Sequence, residues 1–120
     1  MSKKDELELL IDALKKREEV LINNQSIKKY NKYFDIMRKY ARKLIDDNRQ
    51  EEILPFLFDN SISIQRDVAG ILFNCYPEKC TEILQKICNM SVRTGLPKYF
   101  SNLRLSAIMA LEKGIPNDFP

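Results

Sequence analysis

The amino-acid sequence predicts an all-α fold of about six helices, and three observations support this. Nearly every stretch places its apolar residues at the three-to-four-residue spacing of a helix face. Glycine and proline are scarce, with three and five residues, and most of them lie near apparent helix boundaries. No stretch shows the alternating pattern of a half-buried strand. At 120 residues, the chain is expected to form a single domain around one hydrophobic core.

The first part of the chain is predicted to be a hairpin of two long helices. Residues 5–24 carry one apolar face, which is interrupted at Arg17 and Glu18. Polar residues follow at 23–25, and Ser26 can cap the next helix. The second helix, over 26–47, has an apolar stripe formed by Ile27, Tyr30, Phe34, Met37, Ala41, Leu44 and Ile45. Because a short polar turn joins these helices, we expect them to pair antiparallel.

Shorter helices are predicted after Asn48. Residues 49–58 form an apolar segment in which Pro55 must occupy the first turn or kink the helix. The last helix is expected to stop at Gly114, with Pro116 just beyond it. The remaining predicted elements are a turn at 59–61, helices over 63–76 and 77–90, a loop at 91–97 and a final helix over about 98–113.

The composition argues against catalysis. Histidine, the commonest general base and metal ligand, does not occur. Cys75, Cys80 and Cys88 contain no CxxC pair, so we expect free, mostly buried thiols rather than disulfides or a zinc site. There is no glycine-rich phosphate loop, and the acidic pairs at 46–47 and 51–52 lie where helix caps are expected. We therefore predict a protein that is not an enzyme, with no catalytic residue, no cofactor and no metal.

The distribution of apolar residues predicts a cytoplasmic protein. No apolar run approaches the roughly 18 residues that span a bilayer, so no membrane partner is expected. The first twenty residues carry acidic side chains through their apolar stripe, which is not the pattern of a signal peptide.

Two segments, QRDVAGILF and LRLSAIMAL, share an arginine followed three residues later by an alanine. The pairs are Arg66 with Ala69 and Arg104 with Ala107, and the arginines are 38 residues apart, a spacing found in helical-hairpin repeats. The alanine would let a neighbouring helix approach closely, while the arginine can reach carbonyl or carboxylate groups of an adjoining turn. For Arg66 we favour this structural role over ligand binding, because packing explains a repeated position better.

The stretch LPFLFDNSISIQRDVAGIL resembles a HEAT-type repeat, in which an apolar helix, an aspartate-led turn and an Arg-x-x-Ala helix follow one another. Asp59, Arg66 and Ala69 carry this resemblance, although Gln65 stands where the pattern has an apolar residue. Over 27–116 the chain resembles a bacterial family of small HEAT-like domains of unknown function, including its closing ALEKGI segment. The resemblance implies a short HEAT-like α-hairpin array after the N-terminal hairpin. It implies no activity beyond the binding of other macromolecules along a helical face.

The second helix carries the most informative surface. Of the net charge of +3, residues 26–47 contribute an excess of four, with seven basic and three acidic residues. The candidate partner-binding residues project away from the apolar stripe or flank its edge, and they are Lys28, Lys32, Tyr33, Lys39, Arg42 and Lys43. Basic residues interleaved with tyrosine can bind an acidic protein surface or a phosphate backbone. The alternative is an ordinary solvated helix face.

We therefore predict a non-enzymatic protein–protein interaction module. A concrete case is an immunity protein that binds and blocks a bacterial toxin with an acidic or neutral surface. The alternative is a nucleic-acid-binding HEAT-like domain that uses the basic helix 26–47. It ranks second, because a groove that tracks a phosphate backbone needs basic residues on several helices. A homodimer, in which a second copy covers the terminal helices, is a third alternative.

Overall fold

A computed structural model describes residues 5–90 and 99–120 of the chain. Across these ranges the protein is all-α, with no strand, which confirms the predicted fold class. A short 3-10 helix, Leu54–Phe58, lies between the third and fourth helices. Within the described residues the six helices are α1 Glu6–Ile22, α2 Ile27–Asp46, α3 Gln50–Ile53, α4 Ile62–Ile71, α5 Pro77–Cys88 and α6 Tyr99–Lys113. The loop predicted at 91–97 lies outside the described residues.

Helices α1 and α2 form the predicted long hairpin. Ser26 caps α2, because its Oγ accepts a hydrogen bond from the backbone N–H three residues further on, at 3.2 Å. Arg17, late in α1, lies over the ring of Tyr30, early in α2, at 3.9 Å. At the other end, Asp5 precedes α1 and accepts hydrogen bonds from Arg49, which follows α2. These contacts confirm that the two helices run antiparallel.

Pro55 divides the predicted helix over 49–58 into two shorter pieces. The α-helical hydrogen bonding of α3 ends at Ile53, and a 3-10 helix continues from Leu54 to Phe58. Proline has no backbone N–H and its ring clashes with the carbonyl four residues earlier, so an α-helix cannot pass through Pro55 unchanged. The tighter 3-10 hydrogen-bonding pattern takes over at this point.

The turn before α4 is organised by side-chain hydrogen bonds. The Asp59 carboxylate accepts from the backbone N–H of Ser61 at 2.9 Å, and Ser61 Oγ accepts from that of Ile64 at 3.2 Å. Gln65, the residue that departs from the HEAT-type pattern, is buried and donates through Nε2 to the Asp59 carbonyl. The amide of Gln65 therefore stabilises the turn from which α4 starts.

Helix α4 is shorter than the segment 63–76 predicted for it. It ends at Ile71, and turns lead to Tyr76, whose φ of −135° and ψ of 65° are outside the helical region. Proline disfavours the α conformation in the residue before it, so Pro77 forces the chain out of helical geometry at this position. Pro77 then begins α5 in the first-turn position predicted for it.

The segment after α6 folds back onto the body of the protein. Gly114, with φ of +78°, ends α6 as predicted. The side-chain amide of Asn74 lies within hydrogen-bond distance of three carbonyl oxygens in this segment, those of Pro116, Asn117 and Phe119, at 2.9 to 3.3 Å. The Phe119 ring stacks on Phe34 of α2 with 6.0 Å between ring centroids.

One apolar cluster draws residues from all the helices and forms the core. Its largest fully buried members include Leu10, Leu14, Met37, Leu44, Ile53, Leu57, Val68, Leu84 and Ile87. Helix α4 lies near its centre, since eight of its ten residues are buried. Ala69 and Ala107 are fully buried, as expected for small residues where neighbouring helices approach closely. None of the described helices combines the length and apolarity needed to cross a membrane.

Candidate functional site

The six candidate partner-binding residues all lie on α2 and form what we call the α2 basic face: Lys28, Lys32, Tyr33, Lys39, Arg42 and Lys43. Its four lysines are exposed, whereas Met37, Ala41 and Leu44 of the same helix are buried. At 3.6 residues per turn, the lysines fall within about 60° of one another around the helix axis and extend along about 22 Å of it. The structure therefore brings the four lysines together in one exposed stripe.

Tyr33 and Arg42 are less accessible than the lysines because other side chains of the protein contact them. Tyr33 is half-buried, and the ammonium groups of Lys32 and Lys16 lie 5.7 and 6.0 Å from its ring centroid. Arg42 is also half-buried, with Nε 3.7 Å from a carboxylate oxygen of Asp46. The exposed part of the α2 basic face is therefore mainly its lysines.

A second set of charged residues lies in the interior, where no sequence motif indicates a site. Arg17 of α1 donates a hydrogen bond from Nη1 to Oδ1 of Asp67 on α4. Their side chains are only 11% and 6% exposed. The Arg17 guanidinium lies 3.9 Å from the ring centroid of Tyr30 and 4.8 Å from that of Phe34. The interruption of the α1 apolar face at Arg17 was the one sequence signal of this arrangement.

Arg66 completes this set, which we call the buried cluster (Arg17, Arg66 and Asp67). Its Nε donates to Ser106 Oγ of α6 at 2.9 Å, and Nη2 lies 3.4 Å from the Ser106 carbonyl oxygen. A Cβ atom at Gly70 would lie 3.1 Å from Arg66 Nη1, so glycine leaves room for the guanidinium. Arg66 therefore ties α4 to α6, which supports the structural role predicted for it.

Arg104, the counterpart of Arg66 in the sequence echo, lies at a different kind of contact. Its Nε donates to the carbonyl oxygen of Cys88, the last residue of α5, at 2.8 Å. Such a carbonyl has no partner inside its own helix, so the arginine satisfies an otherwise open acceptor. The two arginines share the function of joining adjacent helices, but only Arg66 lies beside a buried carboxylate.

Burial shifts the ionisation of the groups in and around the buried cluster. It raises the pKa of Asp67, although the positive charge of Arg17 and its hydrogen bond act in the opposite direction. It lowers the pKa of Arg66, where the negative charge of Asp67 opposes the shift and the positive charge of Arg17 adds to it. Burial also raises the pKa of the Tyr30 hydroxyl. The charges of both guanidinium groups thus act on the Asp67 carboxylate in a poorly solvated place, and Arg17 also contacts it directly.

A cleft of about 380 Å³ opens beside the buried cluster, between the α1–α2 hairpin and α6. A smaller cavity of about 160 Å³ lies next to it and is lined by Arg66 and Asp67. Arg17, Tyr30 and Ser106 line both spaces, so these three residues stand at the junction. The cleft is therefore charged at one end.

Arg49 forms a separate, more exposed set of ion pairs near the start of α1. It donates to the Asp5 carboxylate at 3.0 and 2.6 Å, and its Nε donates to Glu52 at 2.6 Å. The Arg49 side chain lowers the pKa of Asp5 to about 2 and also lowers the pKa of Glu52. This set joins the α1–α2 hairpin to α3.

The cysteines are free, as predicted, but their burial differs. Cys80 is fully buried, whereas Cys75 and Cys88 are half-buried. Burial raises the pKa of the Cys80 thiol to about 12 and also raises that of Cys75, which keeps both thiols protonated at neutral pH. Across residues 5–90 and 99–120, no group of three or more Cys, Asp and Glu side chains has an arrangement that could hold a metal ion.

No family model matches the chain, and neither the curated protein sequences nor the solved structures contain a match. The resemblance to HEAT-like domains stays a prediction.

Proposed function

We propose that this protein is a non-enzymatic protein–protein interaction module whose α2 basic face docks on an acidic surface of another protein. The observation that carries the proposal is the exposed stripe of four lysines on one side of a 20-residue helix. Charged residues arranged in this way accelerate association with an oppositely charged partner and select against like-charged ones.

The charges around α2 favour a protein partner over a nucleic acid. Several basic residues on other elements are paired with acids: Lys16 with Asp12, Arg17 with Asp67, and Arg49 with Asp5 and Glu52. The stripe also includes exposed Asp35, which interrupts the run of positive charge that a continuous phosphate backbone would follow, whereas the acidic groups of a protein surface can be spaced around it. A nucleic-acid track needs unpaired basic residues on several helices. Summed over the sequence, the net excess of basic over acidic residues lies in 26–47, the segment that contains α2.

In its most specific form, the proposal is an immunity protein of HEAT-like architecture that covers an acidic surface on a bacterial toxin. Blocking a toxin requires surface complementarity and no catalytic group. The net charge of +3 suits an acidic partner and argues against a basic one.

The proposal is tested by comparing two charge variants of equal net charge as bait in extracts of the source organism. The first variant replaces Lys28, Lys32, Lys39 and Lys43 by Gln. The matched control replaces four exposed lysines elsewhere, Lys15, Lys79, Lys86 and Lys113. We expect wild-type protein and the control to retain the same stoichiometric acidic partner, and the α2 variant to lose it. Absence of such a partner, or equal capture by all three baits, would contradict the proposal.

The nucleic-acid alternative is tested by titrating duplex DNA and RNA at low salt. Tight binding whose affinity falls steeply with salt, and which the α2 variant loses, would indicate that the partner is a nucleic acid rather than a protein.

The homodimer alternative has one observation in its favour on α6. Leu105 and Met109, one helical turn apart, are 59% and 39% exposed. Sedimentation velocity at micromolar concentration distinguishes a monomer from a dimer, and Leu105→Ser would dissociate a dimer that uses this face.

A further inference from the structure

The buried cluster contains more positive than negative charge. Asp67 forms an ion pair with Arg17, whereas the hydrogen bonds of Arg66 go to Ser106. The side chains of Arg17 and Asp67 are almost entirely removed from solvent. Burying an uncompensated charge is unfavourable, and an anion placed beside the two guanidinium groups would offset that cost. The charge balance of this cluster therefore favours an anionic ligand.

The hydrogen bonding of the cluster is also incomplete. Within the part of the chain that the structure describes, Arg17 Nε and Asp67 Oδ2 are buried and have no hydrogen-bond partner. Buried polar groups without partners are rare and often indicate a position for a ligand or water. The rings of Tyr30 and Phe34 cover the Arg17 guanidinium. Nη1 already donates to Asp67, and the other in-plane N–H groups, on Nε and Nη2, have the planar geometry that pairs with a carboxylate.

The cleft beside Arg17 has an apolar wall that extends away from the charged end. This wall is formed by Val20, Leu21, Ile27 and Leu103. Polar side chains of Asn24, Gln25 and Asn102 also line the cleft. Its volume of about 380 Å³ is within the range of small-molecule sites, about 300–1,000 Å³.

From the charged end and the apolar wall together, we infer that the cleft binds a small organic acid. Its carboxylate lies against Arg17 at the junction with the smaller cavity, and its hydrocarbon or aromatic body lies on the apolar wall. Arg66 contributes positive charge from the smaller cavity, and Asp67 holds Arg17 in place. This site is separate from the α2 basic face and does not depend on the protein partner proposed above.

The inference is tested by NMR titration of the whole chain with three probes at constant ionic strength. Sodium octanoate has a carboxylate and a hydrocarbon chain, acetate has the carboxylate without the long chain, and 1-octanol has the chain without the carboxylate. We expect octanoate to bind saturably, to shift the Arg17 side-chain N–H resonance, and to bind at least about tenfold more tightly than either other probe. No saturable octanoate binding, or equal affinity for octanoate and 1-octanol or acetate, would overturn the inference.

Two pairs of variants locate the site. Arg66→Gln should weaken octanoate binding about tenfold, whereas Arg104→Gln, its counterpart outside the cleft, should leave it unchanged. Leu103→Trp should fill the apolar part of the cleft and block octanoate, whereas Leu105→Trp, on the exposed side of the same helix, should not. The second pair keeps the test decisive if Arg66→Gln does not fold. Octanoate binding that survives Leu103→Trp would place the ligand elsewhere.

The α2 variant with four glutamines separates this inference from the proposed function. We expect it to bind octanoate as wild-type protein does. If the variant loses octanoate, the ligand binds at the exposed lysines and the inference is wrong.

Discussion

The buried cluster and the α2 basic face are both formed mainly by charged residues, but in opposite environments. In the cluster, Arg17 and Asp67 are in direct contact and nearly free of solvent, and each belongs to a different part of the fold. On the α2 basic face, the lysines are surrounded by water and lie on one helix. Coulomb interactions are strong where water is excluded and weak where it is present. We therefore expect the loss of a charged side chain to affect stability most in the buried cluster and least on the α2 basic face.

The largest effect is expected from removing the carboxylate of the buried cluster. Asp67→Ala leaves Arg17 and Arg66 in the interior without their counter-charge, and we expect the free energy of unfolding to fall by about 3–5 kcal/mol. Urea denaturation followed by circular dichroism measures this. The double variant Arg17→Ala, Asp67→Ala should be less destabilised than the sum of the single variants, because they interact directly. An unchanged urea midpoint for Asp67→Ala would show that charge matters no more to stability in the buried cluster than on the α2 basic face.

A smaller effect is expected at Arg49, whose ion pairs are intermediate in exposure between the two regions. The pKa values of Asp5 and Glu52 are lower in the folded protein than their ordinary values of 3.8 and 4.5. Their contribution to stability is therefore present above pH 4.5 and is lost as the pH falls towards 2. In thermal melts between pH 6 and 2, Arg49→Gln should show a shallower loss of Tm with acidification than wild-type protein. Parallel curves would show that these pairs do not contribute.

The smallest effect on stability is expected on the α2 basic face. Replacing Lys28, Lys32, Lys39 or Lys43 singly by Gln should change the free energy of unfolding by no more than about 0.5 kcal/mol, because exposed side chains lose few contacts. Urea denaturation of the four single variants checks this. A loss comparable to that of Asp67→Ala would mean that the lysines are structural. Such a loss would also undermine their use as a probe of partner binding.

Most of the helical architecture could be predicted from the sequence because the signals are local. The spacing of apolar residues along α2 places Met37, Ala41 and Leu44 on one buried side, and the lysines necessarily fall on the other. Ser26 and Gly114 mark helix ends through interactions within a few residues. The effect of Pro55 is also a local signal, and the structure confirms it. The helix expected over 63–76 is wrong at its end, because α4 stops at Ile71 and the proline rule accounts only for Tyr76.

The buried cluster could not be predicted in the same way. Arg17 and Asp67 are 50 positions apart, and Arg66 and Ser106 are 40 apart. No residue near Arg17 in the sequence indicates its partner, so the sequence shows this charge only as an interruption of an apolar face. The echo with Arg104 correctly suggested a joining role for Arg66, but it gave no sign of the carboxylate or of the cleft beside it.

Local chemistry along the chain was thus enough to specify an all-α protein, the positions of most helix ends and a basic exposed side on α2. These properties depend on helix periodicity and on capping, which involve residues close in sequence. The pairing of Arg17 with Asp67, the position of Arg66 against Ser106 and the cleft at their junction arise only when α1, α4 and α6 pack together. The physical reason is that the burial of a charged side chain, and the group with which it pairs, depend on how the helices pack. Packing therefore decides whether such a side chain joins two helices or stays exposed on the surface.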